Sequence, residues 1–221
     1  MRKIQFANGE YYHIFNRGVD KRKIFLEERD YQRFLFSLNL LNDDEDGLLL
    51  KWRDYMKCKE KSSKPFLKLG FRNRKFLVDI IVYCLNPNHY HLLVKQRIEK
   101  GVERFMHKLG TSYTKYFNEK YKRSGVLFQG KFKAVHIKNN AKLLYLSAYI
   151  NQNSQIHGIA KSDKYPWSSY SQYSANKKFC LCRTHVIVSQ FRNAKEYKEF
   201  CKENLKEMIE RKQDEKLLME E

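Results

Sequence analysis

No apolar run in this 221-residue chain approaches the length of about 18 residues that a membrane-spanning helix needs. The opening residues, Met1-Arg2-Lys3-Ile4-Gln5-Phe6, lack the apolar stretch of a secretory signal. Cysteine is scarce. Cys58, Cys84, Cys180, Cys182 and Cys201 are odd in number and unpatterned, which argues against a disulfide framework and for a reducing, cytoplasmic setting. Cys180 and Cys182 form a lone C-x-C with no second pair, a poor basis for a zinc site. No internal repeat and no low-complexity tract interrupts the chain. Acidic residues are also few: 25 Asp plus Glu stand against 44 Lys plus Arg, for a net charge of +19. What is abundant is aromatic. Fifteen Phe and fifteen Tyr within a 42% apolar composition can fill a core, so wholesale disorder is excluded. The length suits one sizeable domain, or one domain with a short appendage.

The positive charge is concentrated. Lys51 to Lys75 holds ten basic and two acidic residues, a net of +8, and Lys95 to Lys142 holds thirteen and three, a net of +10. From Phe191 to Glu221 the balance is eight against nine. A solvated face mixes signs. A one-signed excess in mid-chain points to a polyanion, most simply nucleic acid. An anionic membrane is the weaker reading, because no basic segment has a membrane-binding apolar face.

Hydrophobic spacing predicts the elements. Glu10 to Arg17 reads as a strand ending at Gly18, and Arg29 to Leu41 carries Tyr31, Phe34, Leu35, Leu38 and Leu41 at helical spacing. Asn42 to Gly47 is an acidic turn, and 43–75 is a basic insertion, a loop or a short helix. Phe76 to Leu85 reads as a buried strand. The turn Asn86-Pro87-Asn88 returns it as His89 to Lys95, making a hairpin. Gly101 to Lys122 is an amphipathic helix with a core stripe of Val102, Phe105, Met106, Leu109, Tyr113, Tyr116 and Phe117. Phe132 to Lys138 alternates like a strand, and Asn140 caps a helix running to about His157. Tyr165 to Ser169 is a break, Thr184 to Gln190 a short element, and Ala194 to Leu218 a charged, weakly amphipathic helix. This order is that of an α+β, ferredoxin-like or RRM-like split β-α-β sandwich with an antiparallel sheet and extra C-terminal helices. Helices on one side of such a sheet would leave its other face open for a site.

Two residues on that sheet draw attention. His89 and His91 are two apart on a strand, so both imidazoles project from one face, roughly 7 Å apart along the chain. Two imidazoles on one face make half of a metal site. On the helix after Asn140, Tyr145, Tyr149, Gln152 and Asn153 share a stripe, whereas Leu143, Ser147 and Ile150 point to the core. Tyr149 and Asn153 lie one turn apart, about 6 Å along the axis. An amide oxygen suits a hard cation such as Mg²⁺ or Mn²⁺.

Five fragments, in this order and spacing, resemble the REP-associated tyrosine transposases within the wider HUH (His-hydrophobic-His) single-strand nucleases. They are Tyr11-Tyr12-His13-Ile14-Phe15-Asn16-Arg17-Gly18, then Leu85 to Val94 (LNPNHYHLLV), Arg123 to Lys133 (RSGVLFQGKFK), Tyr149-Ile150-Asn151-Gln152-Asn153, and Tyr165-Pro166-Trp167-Ser168-Ser169-Tyr170. The resemblance spans roughly residues 8–172 and leaves 173–221 as a helical extension, loosely matched. It departs from the family pattern in Tyr90 between the histidines, in Ser154 where proline usually follows the asparagine, and in the longer 43–75 insertion.

The resemblance implies the HUH nuclease fold and a metal-dependent enzyme that cleaves and rejoins single-stranded, hairpin-containing DNA. By it, His89, His91 and Asn153 are metal ligands for Mg²⁺ or Mn²⁺, and Tyr149 is the nucleophile. A phenol is mostly protonated at neutral pH, so its phenolate must be favoured locally. Attack would leave a covalent 5′-phosphotyrosine and a free 3′-OH. The covalent link keeps the phosphoester energy, which fits the lack of a P-loop, G-x-x-x-x-G-K-[ST], in the chain. Lys95, Arg104, Lys108, Lys115, Arg123, Lys131 and Lys133 are candidate phosphate contacts, and Phe128 is a candidate stacking platform. The family further implies transposition or repeat mobilisation, a monomer, and a bacterial nucleoid-associated location. Two other readings compete: a non-catalytic hairpin-binding protein that keeps the fold, and a water-using hydrolase in which Tyr149 is incidental.

Overall fold

The computed structural model describes residues 4–57, 74–173 and 181–217. Four strands form one antiparallel sheet: β1 (Tyr11–Arg17), β2 (Val78–Asn86), β3 (His89–Gln96) and β4 (Lys133–Ile137), in the order β2-β3-β1-β4. The helices are α1 (Glu28–Leu40), α2 (Leu48–Lys57), α3 (Gly101–Lys120), α4 (Asn140–Asn151), α5 (Asn153–Ile156), α6 (His185–Val188) and α7 (Ala194–Leu217). With α1 between β1 and β2, and α3 between β3 and β4, this is the predicted split β-α-β sandwich. The 43–75 insertion contains α2, and its remainder from 58 to 73 lies outside the described residues.

Period-2 alternation sorts side chains into two cores. Tyr12, Ile14, Tyr90, Leu92 and Val94 face α1 and α3, where Phe34, Leu38, Phe105, Leu109 and Tyr113 are fully buried. Seven residues predicted for the α3 stripe lie there, Tyr116 only partly buried. The opposite face is not open, contrary to the expectation from sequence. Ile81, Cys84 and Leu93 pack under α4, α5 and α7, with Ile150, Tyr173, Ile187, Tyr197, Cys201 and Met208 completing a second core. The physical reason lies in the extension. Its helix is too charged to look apolar, yet Tyr197, Cys201 and Met208 fall on one stripe and are buried. Cys84, Cys182 and Cys201 are buried; Cys58 and Cys180, and with Cys180 the C-x-C pair, lie outside the described residues.

Two sequence signals prove to be structural. The Trp167-Ser168-Ser169 segment runs along the free edge of β2: the Leu85 amide donates to Trp167 O at 2.9 Å and the Tyr83 amide to Ser169 Oγ at 3.0 Å. An edge strand is thereby covered. Gly101 opens α3 because a Cβ there would stand 2.3 Å from the Leu77 carbonyl oxygen.

Asp30 is the most committed buried charge. It accepts from the Leu26 amide (2.8 Å), Tyr116 Oη (3.0 Å), Lys120 Nζ (2.6 Å) and Tyr121 Oη (2.7 Å), at 0% exposure. Burial alone would raise its carboxyl, but Lys120, Tyr121, the Leu26 amide and Tyr116 outweigh it and hold it below its ordinary 3.8. Asp30→Ala is expected to lower unfolding stability by about 3–5 kcal/mol at neutral pH, because it strands these four donors and the Glu27 amide, which also donates to Asp30 at 3.2 Å. A group titrating lower in the folded chain stabilises above its unfolded value and loses that effect as pH falls through its folded value. Urea unfolding at pH 7 and near pH 3 checks both: the variant should be weaker at pH 7 and the gap should narrow in acid.

Candidate active site

β3 turns His89, His91 and Leu93 toward the α4–α7 layer, while Tyr90 faces the other core at 2% exposure. His91 stands opposite Phe15 of β1 and Cys84 of β2; His89 stands opposite Arg17 and Asn86. The two imidazoles meet edge to face with centroids 5.2 Å apart.

The asparagines of the hairpin set the tautomer of His89. Asn88 Nδ2 donates to the Lys21 carbonyl at 3.2 Å, which turns its Oδ1 to His89 Nδ1 at 2.6 Å. An amide oxygen only accepts, so Nδ1 carries the proton and Nε2 keeps its lone pair. That lone pair accepts from Asn86 Nδ2 at 2.9 Å and faces Asn153 Oδ1 at 3.2 Å. Asn86 Nδ2 also reaches Asn153 Oδ1, at 2.6 Å, while the buried Asn153 Nδ2 has no hydrogen-bond partner among the described residues. Two acceptors thus face one another at a separation close to that of neighbouring ligands on a small divalent ion with bonds of about 2.1 Å. His91 Nδ1 meets His13 Nε2 at 2.9 Å, and its Nε2 makes no hydrogen bond to the described residues. His89 Nε2 and Asn153 Oδ1 thus offer a nitrogen and an oxygen donor at ligand spacing, with the His91 ring centred 5.2 Å from that of His89, and the amide oxygen is the donor type that a hard cation takes. Among the described residues no group of three His, Cys, Asp or Glu could hold a metal, so a cation here depends on the amide.

The third contributor is α4. Asn139, not Asn140, caps it: its side chain accepts from the Lys142 amide at 2.8 Å. Leu143, Ser147 and Ile150 are buried as predicted, and half-buried Tyr149 sets its ring edge to face on His91, centroids 5.9 Å apart. The helix does not run unbroken to His157. It is interrupted at the single residue Gln152 (φ −98°, ψ 4°), ending at Asn151 and restarting as α5 at Asn153 with His157 as the C-terminal cap, and Gln152 donates its Nε2 to the Cys201 carbonyl. The predicted stripe is thereby split: Tyr149 and Asn153 reach the histidines, Gln152 joins α7, and Tyr145 lies under Arg211 at 5.9 Å. Ser154, at the position where the resembled family carries proline, buries a hydroxyl with no partner among the described residues.

Sequence reasoning missed His13, Asn86, Asn88, His157 and Lys212. His157 packs on His89 with centroids 4.6 Å apart, and Lys212 Nζ from α7 donates to His157 Nδ1 at 2.8 Å. The Asn-Pro-Asn turn was legible as a turn, whereas its amides act on the site only once the hairpin closes. Burial, aided by Lys212 and Arg17, pulls His89 down to about 4 against the opposing effect of Asn153. Burial, then Lys142, brings His13 to about 4, and burial first of all drives His91 well below the ordinary range. All three rings are neutral at physiological pH, with lone pairs available.

The predicted DNA contacts divide. Arg104 pairs with Asp44, and Lys108 is held by the Asp43 and Glu45 carbonyls (2.8 and 2.9 Å) and by Asp46 at 2.6 Å, so both anchor the acidic turn. Arg123 donates to Asn118 Oδ1 at 2.9 Å and the Val126 carbonyl at 3.0 Å, bracing its own loop. Lys95 lies over Tyr11, 5.3 Å from its ring centre. Lys115, Lys131 and Lys133 are exposed. Lys115, Phe128 and Lys131 line a groove of about 780 Å³ between α3 and the 126–132 loop, with Thr111, Thr114 and Val126. That loop docks on the end of β1: the Val19 amide donates to Leu127 O at 3.0 Å and the Gln129 amide to Arg17 O at 2.9 Å.

The family resemblance read from sequence is borne out. Residues 60–153 match the family model described as transposase, IS200-like. In fold, the chain is similar to a solved structure described as a REP-associated tyrosine transposase bound to a REP hairpin. The TM-score is 0.52 at 13% identity, over 82% of this chain and 88% of that one. A tRNA(His) guanylyltransferase from Saccharomyces cerevisiae aligns at a TM-score of 0.36 and 9% identity, over 91% of this chain and 74% of that one, too distant to carry an argument. No curated protein sequence matches. No helix of the described residues is long and apolar enough to cross a membrane.

Proposed function

We propose that this chain, matched by the IS200-like transposase family over residues 60–153, cleaves and rejoins single-stranded DNA carrying a hairpin, through Tyr149. One observation carries this reading: a phenol on α4, two imidazoles on β3 and an amide oxygen on α5 gather within a single cluster. His89, His91 and Asn153 would hold a divalent ion, which when bound neutralises the scissile phosphate. Asn88 keeps the His89 lone pair turned inward, and Asn86 holds the Asn153 oxygen beside it. Tyr149 Oη attacks phosphorus, the bond from phosphorus to the 3′ oxygen breaks, and a 5′-phosphotyrosine forms. The phenol loses a proton and the departing 3′ oxygen gains one, so the step is proton-neutral. Reversal by another 3′-OH rejoins the strand without ATP.

The groove is the proposed path for flanking single strand: Phe128 offers a ring to a base, and Lys115 and Lys131 meet phosphates, while exposed Lys133, paired with Phe15 on the histidine face of the sheet, is a candidate contact nearer the cluster. The solved relative's hairpin partner supports a hairpin substrate here. The test is incubation with labelled hairpin DNA and Mn²⁺, followed by denaturing electrophoresis. A protein–DNA adduct lost on adding chelator supports the reading, and binding without any cleavage favours a non-catalytic module. Salt checks the groove. Log affinity should fall linearly with log salt, and Lys131→Gln should reduce the slope by about 0.7 to 0.9. An unchanged slope would remove Lys131 from the interface.

A further inference from the structure

His13 lies on β1 diagonal to His91, with 8% exposure, and the reaction just proposed gives it no role. Its Nε2 is 2.9 Å from His91 Nδ1, the two rings stack with centroids 5.1 Å apart, and Phe15 stacks against both, at 5.0 and 5.7 Å. Two neutral imidazoles at this distance share one proton, and there are two ways to place it. If His13 Nε2 carries it, His91 must be protonated on Nε2, and that nitrogen cannot ligate. If His91 Nδ1 carries it, His91 Nε2 presents a lone pair.

We infer that His13 is a positioning residue: it accepts the proton of His91 Nδ1 and so keeps His91 Nε2 free to bind a divalent cation. The arrangement repeats on His91 what Asn88 does for His89, where the acceptor is an amide oxygen and the direction is set by the Lys21 carbonyl. Both histidines then keep Nε2 as the lone-pair nitrogen, that of His89 facing Asn153 Oδ1 at 3.2 Å. Partners of this outer kind orient ligating imidazoles generally, and their loss weakens metal binding by about 10- to 100-fold. The inference rests on the proposed metal-dependent reading, but its first test needs no cation.

In metal-free full-length protein labelled with ¹⁵N-histidine, long-range ¹H–¹⁵N correlations report which nitrogen of His91 is protonated. His91→Gln identifies its signals. Protonated Nδ1 is expected in the wild type, and protonated Nε2 there overturns the inference outright. In His13→Phe, which keeps a stacked ring but removes the acceptor, the Nε2-protonated form should appear. Mn²⁺ affinity, read by electron paramagnetic resonance, should then fall at least about tenfold while thermal unfolding changes little. His13→Gln, whose amide oxygen accepts, should recover most of that affinity. Wild-type Mn²⁺ affinity in His13→Phe sinks the inference. If His13→Phe fails to fold, the wild-type tautomer and His13→Gln still decide. If the wild type shows protonated Nδ1 yet binds no Mn²⁺, the metal-dependent reading fails while the hold of His13 on the ring stands.

Discussion

A Tyr149→Phe protein is expected to bind hairpin DNA with unchanged affinity and to form no denaturation-resistant adduct. The substitution removes one oxygen and keeps the ring that sits edge to face on His91 at 5.9 Å. Tyr149 is half-buried on a capped helix whose other face is packed in the second core, so stability should change by less than about 1 kcal/mol. The cleavage rate should fall by about four orders of magnitude or more, the scale at which a covalent nucleophile is missed. Cleavage that survives in the phenylalanine protein would instead mean that water is the nucleophile and that the phenol only packs. Single-turnover assays on end-labelled hairpin DNA separate these outcomes.

The second large effect is expected from the histidines. His89→Ala and His91→Ala should each abolish detectable cleavage and leave hairpin binding intact, because the basic groove is lined by α3 and the 126–132 loop on the other side of the sheet. The loss should exceed the 10- to 100-fold typical of residues that only orient a ligand. The two substitutions differ in structural cost. His91 is 9% exposed and stacked on His13 and Phe15, so its removal leaves a void, whereas His89 is only partly buried at the mouth of the hairpin. His89→Ala is therefore the cleaner variant. Mn²⁺ titration beside a DNA-binding isotherm reads both functions. Simultaneous loss of binding and cleavage in His89→Ala would point to a folding role.

Much of this was visible in the chain itself, for local reasons. Period-2 alternation placed His89 and His91 on one face, and the Asn-Pro-Asn turn demanded a hairpin. Helical spacing identified the α3 stripe, six of whose seven members are buried, Val102, Phe105, Met106, Leu109, Tyr113 and Phe117. The same logic failed where a long-range partner decided. A periodic pattern ran on through Gln152, but that residue departs from helical dihedrals (φ −98°, ψ 4°), and its side chain pairs with the Cys201 carbonyl of α7 instead of joining Tyr149 and Asn153. The spread of positive charge also did not show that Arg104 and Lys108 pair with the acidic turn some sixty residues earlier.

Sequence alone determined the order of strands and helices, the shared face of the two histidines, and the one-turn spacing of Tyr149 and Asn153, because these follow from backbone periodicity within a few residues. Only tertiary structure decided that His13 meets His91, that Asn88 sets the tautomer of His89, and that α7 lays Lys212 against His157. Those contacts join residues through strand register, a closed hairpin and helix packing. Hydrogen-bond direction and burial depend on which groups arrive together, and no spacing rule carries that information.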